Sequence, residues 1–198
     1  MKEIVVATQN KGKIEEIVLA LAALPVKVLA LSEFGPIPEA VEDGASFRDN
    51  ALLKARHYAK FTGKACLADD SGLEVDALQG APGIYSARFA GEMADDDANN
   101  QKLLTELTGI GMAERTARFR CVLAFVDTDE SIQTTDGVCE GYISQQQRGT
   151  GGFGYDSLFY MSELNKTMAE LSKNEKNAIS HRGQALRGMA IKLGGLLK

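Results

Sequence analysis

The sequence has few cysteines and lacks any long apolar run. Cys66, Cys121 and Cys139 are odd in number and widely spaced, which fits neither a disulfide framework nor the paired ligands of a zinc site. No segment approaches the roughly 20 apolar residues of a membrane-spanning helix, and the N-terminus lacks the apolar core of a signal peptide. We therefore expect reduced thiols in a cytoplasmic protein that does not bind a membrane.

An excess of positive charge is also missing. The formal net charge is −5, whereas a dedicated DNA- or RNA-binding protein usually presents a basic face, so we expect no nucleic-acid partner. The 198 residues suffice for one well-filled core or for two small lobes that share one. Because the chain contains no internal repeat, low-complexity tract or linker, residues 1–198 are predicted to form a single domain.

The chain predicts strands and helices in a mixed order. Short β-branched runs are typical of buried strands, and apolar residues at spacings of three and four indicate amphipathic helices. The predicted elements are, in order, a strand at 4–7, a helix from 14 until Pro25, a strand at 26–31, a helix after 46, a strand ending at 69–70, a helix at 95–107, strands at 117–126, 132–143 and 157–160, and a C-terminal helix. The strands at 117–126 and 132–143 should form an antiparallel hairpin. The fold class is therefore α/β, with a mixed β-sheet flanked by helices.

Two serines are predicted to begin helices. Ser46 has Asp49 three residues later, which is the spacing of a capping box. Lys176, His181 and Arg182 form a later group of cations, but on one unbroken helix the last two would diverge from the first. If all three contact one ligand, the helix must begin afresh near Ser180, with Ser180 as its N-cap.

Asp69 and Asp70 are the candidate catalytic carboxylates. They follow a short apolar run and precede a Ser-Gly pair, which predicts a strand that ends in a turn. Successive strand side chains point to opposite faces, so only one of the two faces a given site, and we choose Asp70, nearer the strand end. Asp70 would hold Mg²⁺ and orient or deprotonate an attacking water, with Glu42 or Glu39 as a second ligand. The alternative is a solvated acidic turn without a catalytic role.

Two loops offer groups that suit a nucleotide. Thr8–Lys13 lies between the first strand and the first helix, where backbone N–H and ammonium groups suit phosphate. It lacks the Gly-Lys-Ser/Thr ending of a Walker loop. The alternative interpretation of this segment is an ordinary polar turn before a helix. Gly149–Asp156 is rich in glycine, and Phe153 or Tyr155 would stack on a base; its alternative is a flexible hairpin end. Together with the carboxylates, these loops suggest a nucleoside polyphosphate.

Six short motifs occur in one order along the chain. They are TQNKGK at 8–13, SFRDNA at 46–51, ADDSGL at 68–73, GAPGIYSAR at 80–88, GFGYD at 152–156 and SHRG at 180–183. In this order and spacing, the chain closely resembles the inosine/xanthosine triphosphate pyrophosphatase family over nearly its whole length. The resemblance implies hydrolysis of the deaminated purine nucleotides ITP, dITP and XTP to monophosphate and pyrophosphate with Mg²⁺, which removes them from the nucleotide pool. It also implies an elongated sheet in two lobes with a substrate cleft between them, and a homodimer.

The resemblance also assigns roles by position. Asp70 becomes the proton acceptor and a metal ligand, Lys176 binds the triphosphate with Thr8–Lys13, and the residues of the GFGYD and SHRG motifs hold the base. The complete predicted set is Asp70 as catalytic residue, Asp70 and Glu42 as metal ligands, and Thr8, Gln9, Asn10, Lys11, Gly12, Lys13, Ser71, Phe153, Gly154, Tyr155, Asp156, Lys176, His181 and Arg182 as substrate-binding residues.

One position departs from the family pattern. Many members have an acidic residue three positions before the glycine that here is Gly44, but this chain has Val41 there and Glu42 one residue closer. Either Glu42 serves as the second ligand with a shifted backbone, or the metal relies more on Asp70 and water.

Two other functions stay open: a nucleotide pyrophosphatase for other modified bases or pyrimidines, and a nucleotide-binding regulatory module without turnover.

Overall fold

The computed structural model describes residues 1–197 and contains a mixed seven-stranded sheet flanked by helices. The strands in these residues are β1 (Lys2–Val6), β2 (Val26–Ala30), β3 (Ala65–Val75), β4 (Thr116–Val126), β5 (Ile132–Ile143), β6 (Phe159–Met161) and β7 (Lys166–Thr167). The α-helices are α1 (Lys11–Leu21), α2 (Phe47–Thr62), α3 (Asp96–Glu106), α4 (Lys173–Ile179) and α5 (His181–Leu196). This architecture confirms the predicted α/β class.

The strand order is β2-β1-β3-β4-β5-β6-β7. β1 runs parallel to β2 and β3, with Ile4 opposite Val28 and Ala65, whereas β6 pairs antiparallel with β5 and β7. β4 and β5 are neighbours joined by only residues 127–131, which confirms the predicted hairpin because a parallel connection needs a longer crossover.

The chain divides into two compact units. The first comprises residues 1–70, 121–137 and the segment that begins at Arg182, and the second comprises 71–120 and 138–181. The predictions of a single domain and of a substrate cleft stay predictions.

In the first unit, α1 and α5 bury apolar side chains against β1, β3 and β4. Ala65 and Leu67 of β3 belong to this core, whose fully or nearly fully buried members also include Ile4, Val6, Ile17, Leu21, Cys121, Leu123, Phe125, Leu186, Met189 and Leu193. Because side chains alternate along a strand, Cys66 points to the other face of the sheet. Helix α2, which buries Ala51 and Ala55, packs against β1.

In the second unit, the core joins the far end of β3 to α3, β4, β5 and β6. Its buried members are Leu73, Val75, Leu103, Leu107, Ala117, Phe119, Cys139, Ile143, Tyr155, Leu158, Phe159, Met161 and Met168. Residues Gly83–Arg88 form a 3₁₀ helix. Ser86 is buried there, and its hydroxyl accepts a hydrogen bond from Leu73 N of β3 at 2.8 Å.

Both predicted helix starts are confirmed. The Ser46 hydroxyl accepts a hydrogen bond from Asp49 N at 3.2 Å and donates to the Asp49 carboxylate at 2.7 Å. Helix α4 ends at Ile179, Ser180 adopts an extended conformation with φ −65° and ψ 155°, and α5 begins at His181. The chain therefore breaks its helix where the sequence required it.

Several predicted boundaries were wrong, among them the end of helix α1, which lies at Leu21 and not at Pro25. β3 does not end in a turn at Asp70 but continues through Ser71 and Gly72 to Val75, because β3 lies between two neighbouring strands, and such pairing overrides weak local preference. Helix α1 begins already at Lys11, since Asn10 caps it by accepting a hydrogen bond from Lys13 N at 3.1 Å. The short strand predicted at 157–160 is observed as β6, at Phe159–Met161.

The cysteines and helices agree with the composition. Cys66, Cys121 and Cys139 are buried and form no disulfide, as expected for reduced thiols. Burial raises the pKa of Cys66 to about 12, so this thiol stays protonated at neutral pH. No helix within residues 1–197 combines the length and the apolar character that crossing a membrane requires.

Candidate active site

Asp69 lies at the centre of a buried group of charges in the first unit. Its carboxylate Oδ2 is 2.9 Å from Lys13 Nζ and 3.3 Å from Arg182 Nε, and Lys54 Nζ donates to its backbone carbonyl at 3.2 Å. Burial alone would raise the pKa of Asp69, but the three cations outweigh it and hold that pKa well below its usual range. Asp69 is therefore ionised in the folded protein and forms ion pairs.

The neighbouring Asp70 points to the opposite face of β3, toward α2. Its carboxylate accepts a hydrogen bond from Asn50. Burial raises the pKa of Asp70 to about 6, Lys54 opposes this shift, and the Glu42 carboxylate adds to it. A carboxyl group that exchanges its proton near neutral pH suits general-base catalysis.

Asn50 and Lys54 lie one turn apart on α2 and connect Asp70 to the loop that carries Glu42. The Asn50 side chain is 1% exposed, and its Oδ1 accepts a hydrogen bond from Gly44 N at 2.8 Å. A Cβ atom on Gly44 would lie 2.7 Å from that Oδ1, so glycine permits the close approach. Lys54 Nζ lies 2.8 Å from Glu42 Oε2. These contacts hold Glu42 close enough to Asp70 for the charge of Glu42 to raise the pKa of Asp70.

The donor set formed by Asp70 and Glu42 fits a hard divalent cation. Both offer carboxylate oxygens, which Mg²⁺ prefers, and Mg²⁺ typically needs only one or two protein carboxylates because it keeps several waters and binds substrate phosphates. Within the described part of the chain, no three or more His, Cys, Asp or Glu side chains form a fuller metal cage. Glu42, at the position shifted by one from the family pattern, could supply the second carboxylate, and its role as a ligand stays a prediction.

The first turn of α1 carries two lysines. It contains no acidic residue, although the positive end of a helix dipole favours acids and disfavours cations. Lys13 is compensated by Asp69 at 2.9 Å, and the preceding backbone is ordered by Thr8 Oγ1, which accepts from Asn10 N at 3.2 Å. Backbone N–H groups and ammonium groups at one helix start suit an anion, and phosphate binding at this position stays a prediction. Lys11 is exposed.

Arg182, predicted to contact the base, is 3% exposed and bound to two carboxylates of the first unit. Its Nη1 donates to Glu16 Oε2 at 3.1 Å and its Nε to Asp69 Oδ2 at 3.3 Å. Burial would lower the pKa of Arg182, but Asp69 and Glu16 raise it above its ordinary value. The guanidinium therefore connects α5 to α1 and β3, and its predicted contact with a base stays a prediction.

In the second unit, the glycine-rich loop surrounds a buried ion pair. Lys176 Nζ lies 2.5 Å from Asp156 Oδ2 and 4.7 Å from the centre of the Phe153 ring, and Phe153 N donates to the same Asp156 oxygen at 2.9 Å. Gly152 has φ +76°, and a Cβ there would lie 2.1 Å from Asp156 Oδ2, so this turn requires glycine. Lys176, predicted to bind phosphate, thus lies among residues predicted to bind the base.

Tyr155 and His181, two further predicted base contacts in this unit, are tied into its core. Tyr155 is 4% exposed and its hydroxyl donates to Ser86 O at 2.7 Å, and burial raises its pKa. His181 stacks on Phe119, with ring centres 4.8 Å apart and planes 18° apart. Of the two aromatic rings considered for stacking, Phe153 has 37% of its surface exposed, and the structure therefore favours Phe153 over Tyr155.

Comparison with known proteins identifies the family. The model of the Ham1 family matches residues 4–192. The chain belongs to the Ham1 family. It is 54% identical to the dITP/XTP pyrophosphatase of Desulforamulus reducens over 93% of this chain and 92% of that protein, and 53% identical to that of Geobacter sulfurreducens over 98% of each. The structure of a HAM1 protein from Coxiella burnetii superposes with a TM-score of 0.91 at 45% identity, covering 98% of both chains.

Ham1 membership confirms the resemblance drawn from the six motifs, and the predicted residues fall into two groups. Asp70, Glu42, Arg182 and the segment Thr8–Lys13 lie in the first unit, where Gln9 and Gly12 are exposed. Phe153, Gly154, Tyr155, Asp156, Lys176, His181 and the half-buried Ser71 lie in the second.

Sequence reasoning missed three residues of this Ham1 site and the role of a fourth. Asn50 and Lys54 hold Asp70 and Glu42, and Glu16 binds Arg182. Asp69, named only as the carboxylate not chosen as catalytic, pairs with Lys13 and Arg182. The spacing of Asn50 and Lys54 contained a usable signal. Both lie off the apolar face of α2, four residues apart, so their side chains share one face of the helix.

Proposed function

We propose that this Ham1 protein hydrolyses ITP, dITP and XTP to the corresponding monophosphates and pyrophosphate, with Mg²⁺ as cofactor, and so removes deaminated purines from the nucleotide pool. Two relatives that are dITP/XTP pyrophosphatases, at 54% and 53% identity, support the hydrolase class and the substrate. The observation that carries the proposal in the structure is the surroundings of Asp70: a carboxyl group with a pKa of about 6 beside a second carboxylate.

The reaction requires a water molecule to attack the α-phosphorus. Asp70 accepts a proton from that water, the new P–O bond forms, and the bond from the α-phosphorus to the bridging oxygen breaks as pyrophosphate leaves. Bound by Asp70 and Glu42, Mg²⁺ would offset phosphate charge and help to orient and acidify the water. Asn50 holds the Asp70 carboxylate, which positions the base before substrate arrives.

The triphosphate is proposed to bind at the start of α1. Lys11 and Lys13 supply two ammonium groups, and the helix N-terminus supplies backbone N–H groups and a favourable dipole. Lys13 exchanges part of its interaction with Asp69 for the departing pyrophosphate. Charge neutralisation and positioning account for most of the catalysis of phosphoryl transfer.

The base is proposed to stack on Phe153, whose ring is partly exposed and lies near the Lys176 ammonium. Hypoxanthine and xanthine present a 6-keto acceptor where adenine presents an amino donor, and His181 or Arg182 would donate to that oxygen. A site built on such a bond discriminates by up to about 10⁴–10⁵ against an analogue that lacks it. Guanine also has the 6-keto group, so its rejection depends on contacts at the 2-position.

We further propose that the protein acts in the cytoplasm as a homodimer. The buried, unoxidised cysteines support a reducing compartment. Tyr85, at 55% exposure in the 3₁₀ helix Gly83–Arg88, is a candidate contact between copies. Sedimentation analysis of the wild type tests the dimer, and a single species of about 21 kDa, the mass of one chain, would reject it.

Release of pyrophosphate from ITP with and without Mg²⁺ tests the central proposal. We expect rapid release from ITP, dITP and XTP that stops when EDTA is added, and release from ATP and GTP lower by orders of magnitude. A preference for dUTP or methylated nucleotides would replace the substrate assignment while keeping the enzyme class. Tight nucleotide binding without release of any product would instead support the regulatory module.

A further inference from the structure

Helix α3 holds the glycine-rich loop of the second unit through hydrogen bonds to both backbone polar groups of Gly154. Gly154 N donates to Asp96 Oδ2 at 2.6 Å, and Asn100 Nδ2 donates to Gly154 O at 3.0 Å. Asp96 is the first residue of α3 and Asn100 lies four residues later, so both side chains project from one face of the helix. Gly154 has φ +61°, a conformation that glycine adopts without strain.

The two hydrogen bonds from α3 hold the residue that directly follows Phe153. The preceding peptide is held from within the loop, where Phe153 N donates to Asp156 Oδ2 at 2.9 Å. The following residue is held by the bond from the Tyr155 hydroxyl to Ser86 O. The bonds to Asp96 and Asn100 therefore anchor the loop to an outside element at a glycine, the residue type that loses the most conformational entropy when it is ordered.

Asn100 is costly to bury for stability alone. It is 2% exposed, and within residues 1–197 its Oδ1 is buried and accepts no hydrogen bond. A buried polar atom that makes no hydrogen bond costs about 1–3 kcal/mol, so the amide gives up part of its bonding capacity while its nitrogen holds Gly154. The preceding residue differs: Asn99 accepts from Ala90 N at 2.8 Å and donates to Ala87 O at 3.1 Å.

We infer that Asp96 and Asn100 are positioning residues that fix the Phe153 ring in the orientation in which a purine base stacks on it. The inference rests on the proposed function, in which Phe153 receives the base. Because the two residues act on base binding and lie outside the Asp70 site, their loss removes binding that ground state and transition state share. Such a loss raises KM and leaves kcat nearly unchanged.

The chain contains no tryptophan, so Phe153→Trp introduces a single tryptophan at the stacking position, whose fluorescence can be excited separately from that of the tyrosines. Quenching of this fluorescence by IMP, the product monophosphate, measures base binding without turnover. In this background we expect Asn100→Leu and Asp96→Ala each to weaken IMP binding about tenfold, which corresponds to one hydrogen bond. Asp96→Asn retains an acceptor oxygen for Gly154 N and should restore most of the affinity.

Two matched variants separate positioning from general destabilisation. Asp97→Ala changes an exposed carboxylate in the same first turn of α3 that forms no hydrogen bond with the loop within the described chain, and Asn99→Leu removes a buried amide that holds residues 87–90. Both should bind IMP as the Phe153→Trp parent does. In the otherwise wild-type enzyme, Asn100→Leu and Asp96→Ala should raise KM for ITP about tenfold at unchanged kcat.

The outcomes are distinguishable. If the wild type releases no pyrophosphate from ITP, the proposed function fails. If the wild type turns over ITP but IMP leaves the fluorescence of the Phe153→Trp parent unchanged, Phe153 is not the stacking ring and the inference is overturned. It is also overturned if Asp96→Ala, an exposed change that should not prevent folding, binds IMP as tightly as Asp97→Ala, or if the Asp96 and Asn100 variants lower kcat with KM unchanged.

Discussion

Asp69 and Asp70 are adjacent and identical in type, yet the protein places them in opposite surroundings. On one face of β3, Lys13 and Arg182 pair with Asp69 and keep its pKa low; on the other face, burial and Glu42 raise the pKa of Asp70 to about 6. The difference follows from strand alternation, which sends successive side chains to different helices. One carboxylate thereby holds α1 and α5 in place, while the other keeps a proton-accepting capacity that costs stability.

The sharpest test of this contrast is activity. Asp70→Asn removes the proposed base while preserving the shape of the side chain, and we expect kcat for ITP to fall about 10²–10⁴-fold, the range of general-base catalysis. Steady-state kinetics at saturating Mg²⁺ measure this, with circular dichroism as the check on folding. Turnover within a factor of about five of the wild type, far short of that range, would remove Asp70 from the chemistry.

Asp69→Asn should affect stability instead. The change leaves Lys13 and the 3%-exposed Arg182 without their shared carboxylate, and breaking a buried ion pair from one side typically costs about 3–5 kcal/mol. Urea unfolding at pH 7 measures the loss. If the variant unfolds at the wild-type midpoint, the ion pairs around Asp69 do not hold α1 and α5 to β3.

Asp70→Asn should have the opposite effect on stability in the absence of metal. The folded pKa of Asp70, about 6 against 3.8 unfolded, means that the native state binds the proton more tightly, so ionisation of Asp70 destabilises the wild type as pH rises through 4 to 6. With EDTA present, we expect the variant to be more stable by up to about 3 kcal/mol above pH 6. The advantage should vanish toward pH 4. An advantage that grew on acidification would show that the shift has the wrong sign.

The sequence predicted the elements around both carboxylates where the signal is local. The cap at Ser46, the helix restart at Ser180 and the hairpin of β4 and β5 each depend on a few neighbouring residues, and all three were found. The end of β3 was misplaced because Ser71 and Gly72 are usual turn residues, while the pairing that keeps them extended comes from other strands.

The partners of Asp69 were beyond local reasoning. Arg182 lies 113 residues away along the chain, and the same motif had suggested that its guanidinium serves the base. Nothing in the spacing shows that Arg182 packs against α1 and β3, because the pairing depends on how α5 docks. The choice of Asp70 over Asp69 needed only strand alternation and position, and it stays a prediction that the first experiment tests.

Lys54 offers a finer test, since its ammonium group interacts with the carboxylates of both Asp70 and Glu42. Its ammonium lowers the pKa of Asp70 and binds Glu42 at 2.8 Å. Lys54→Met should move the acidic limb of the kcat/KM profile to higher pH, so that activity falls more at pH 6 than at pH 8. A uniform loss across this range would mean that Lys54 acts on substrate and not on the base. Lys60→Met, on the same helix and exposed, serves as the control.

The smallest predicted effect concerns the helix start that positions Asn50 and Lys54. Ser46→Ala removes the hydroxyl that accepts from Asp49 N and donates to the Asp49 carboxylate, and the loss of such a cap costs about 1 kcal/mol. Thermal unfolding measures this, and Ser46→Thr should recover most of it because threonine also caps. Since α2 is held along its length by buried Ala51 and Ala55, fraying of its first turn should leave kcat at 25 °C within about twofold. A larger fall in kcat than in stability would show that the Asp70 side of β3 depends on the first turn of α2 more than on its buried face.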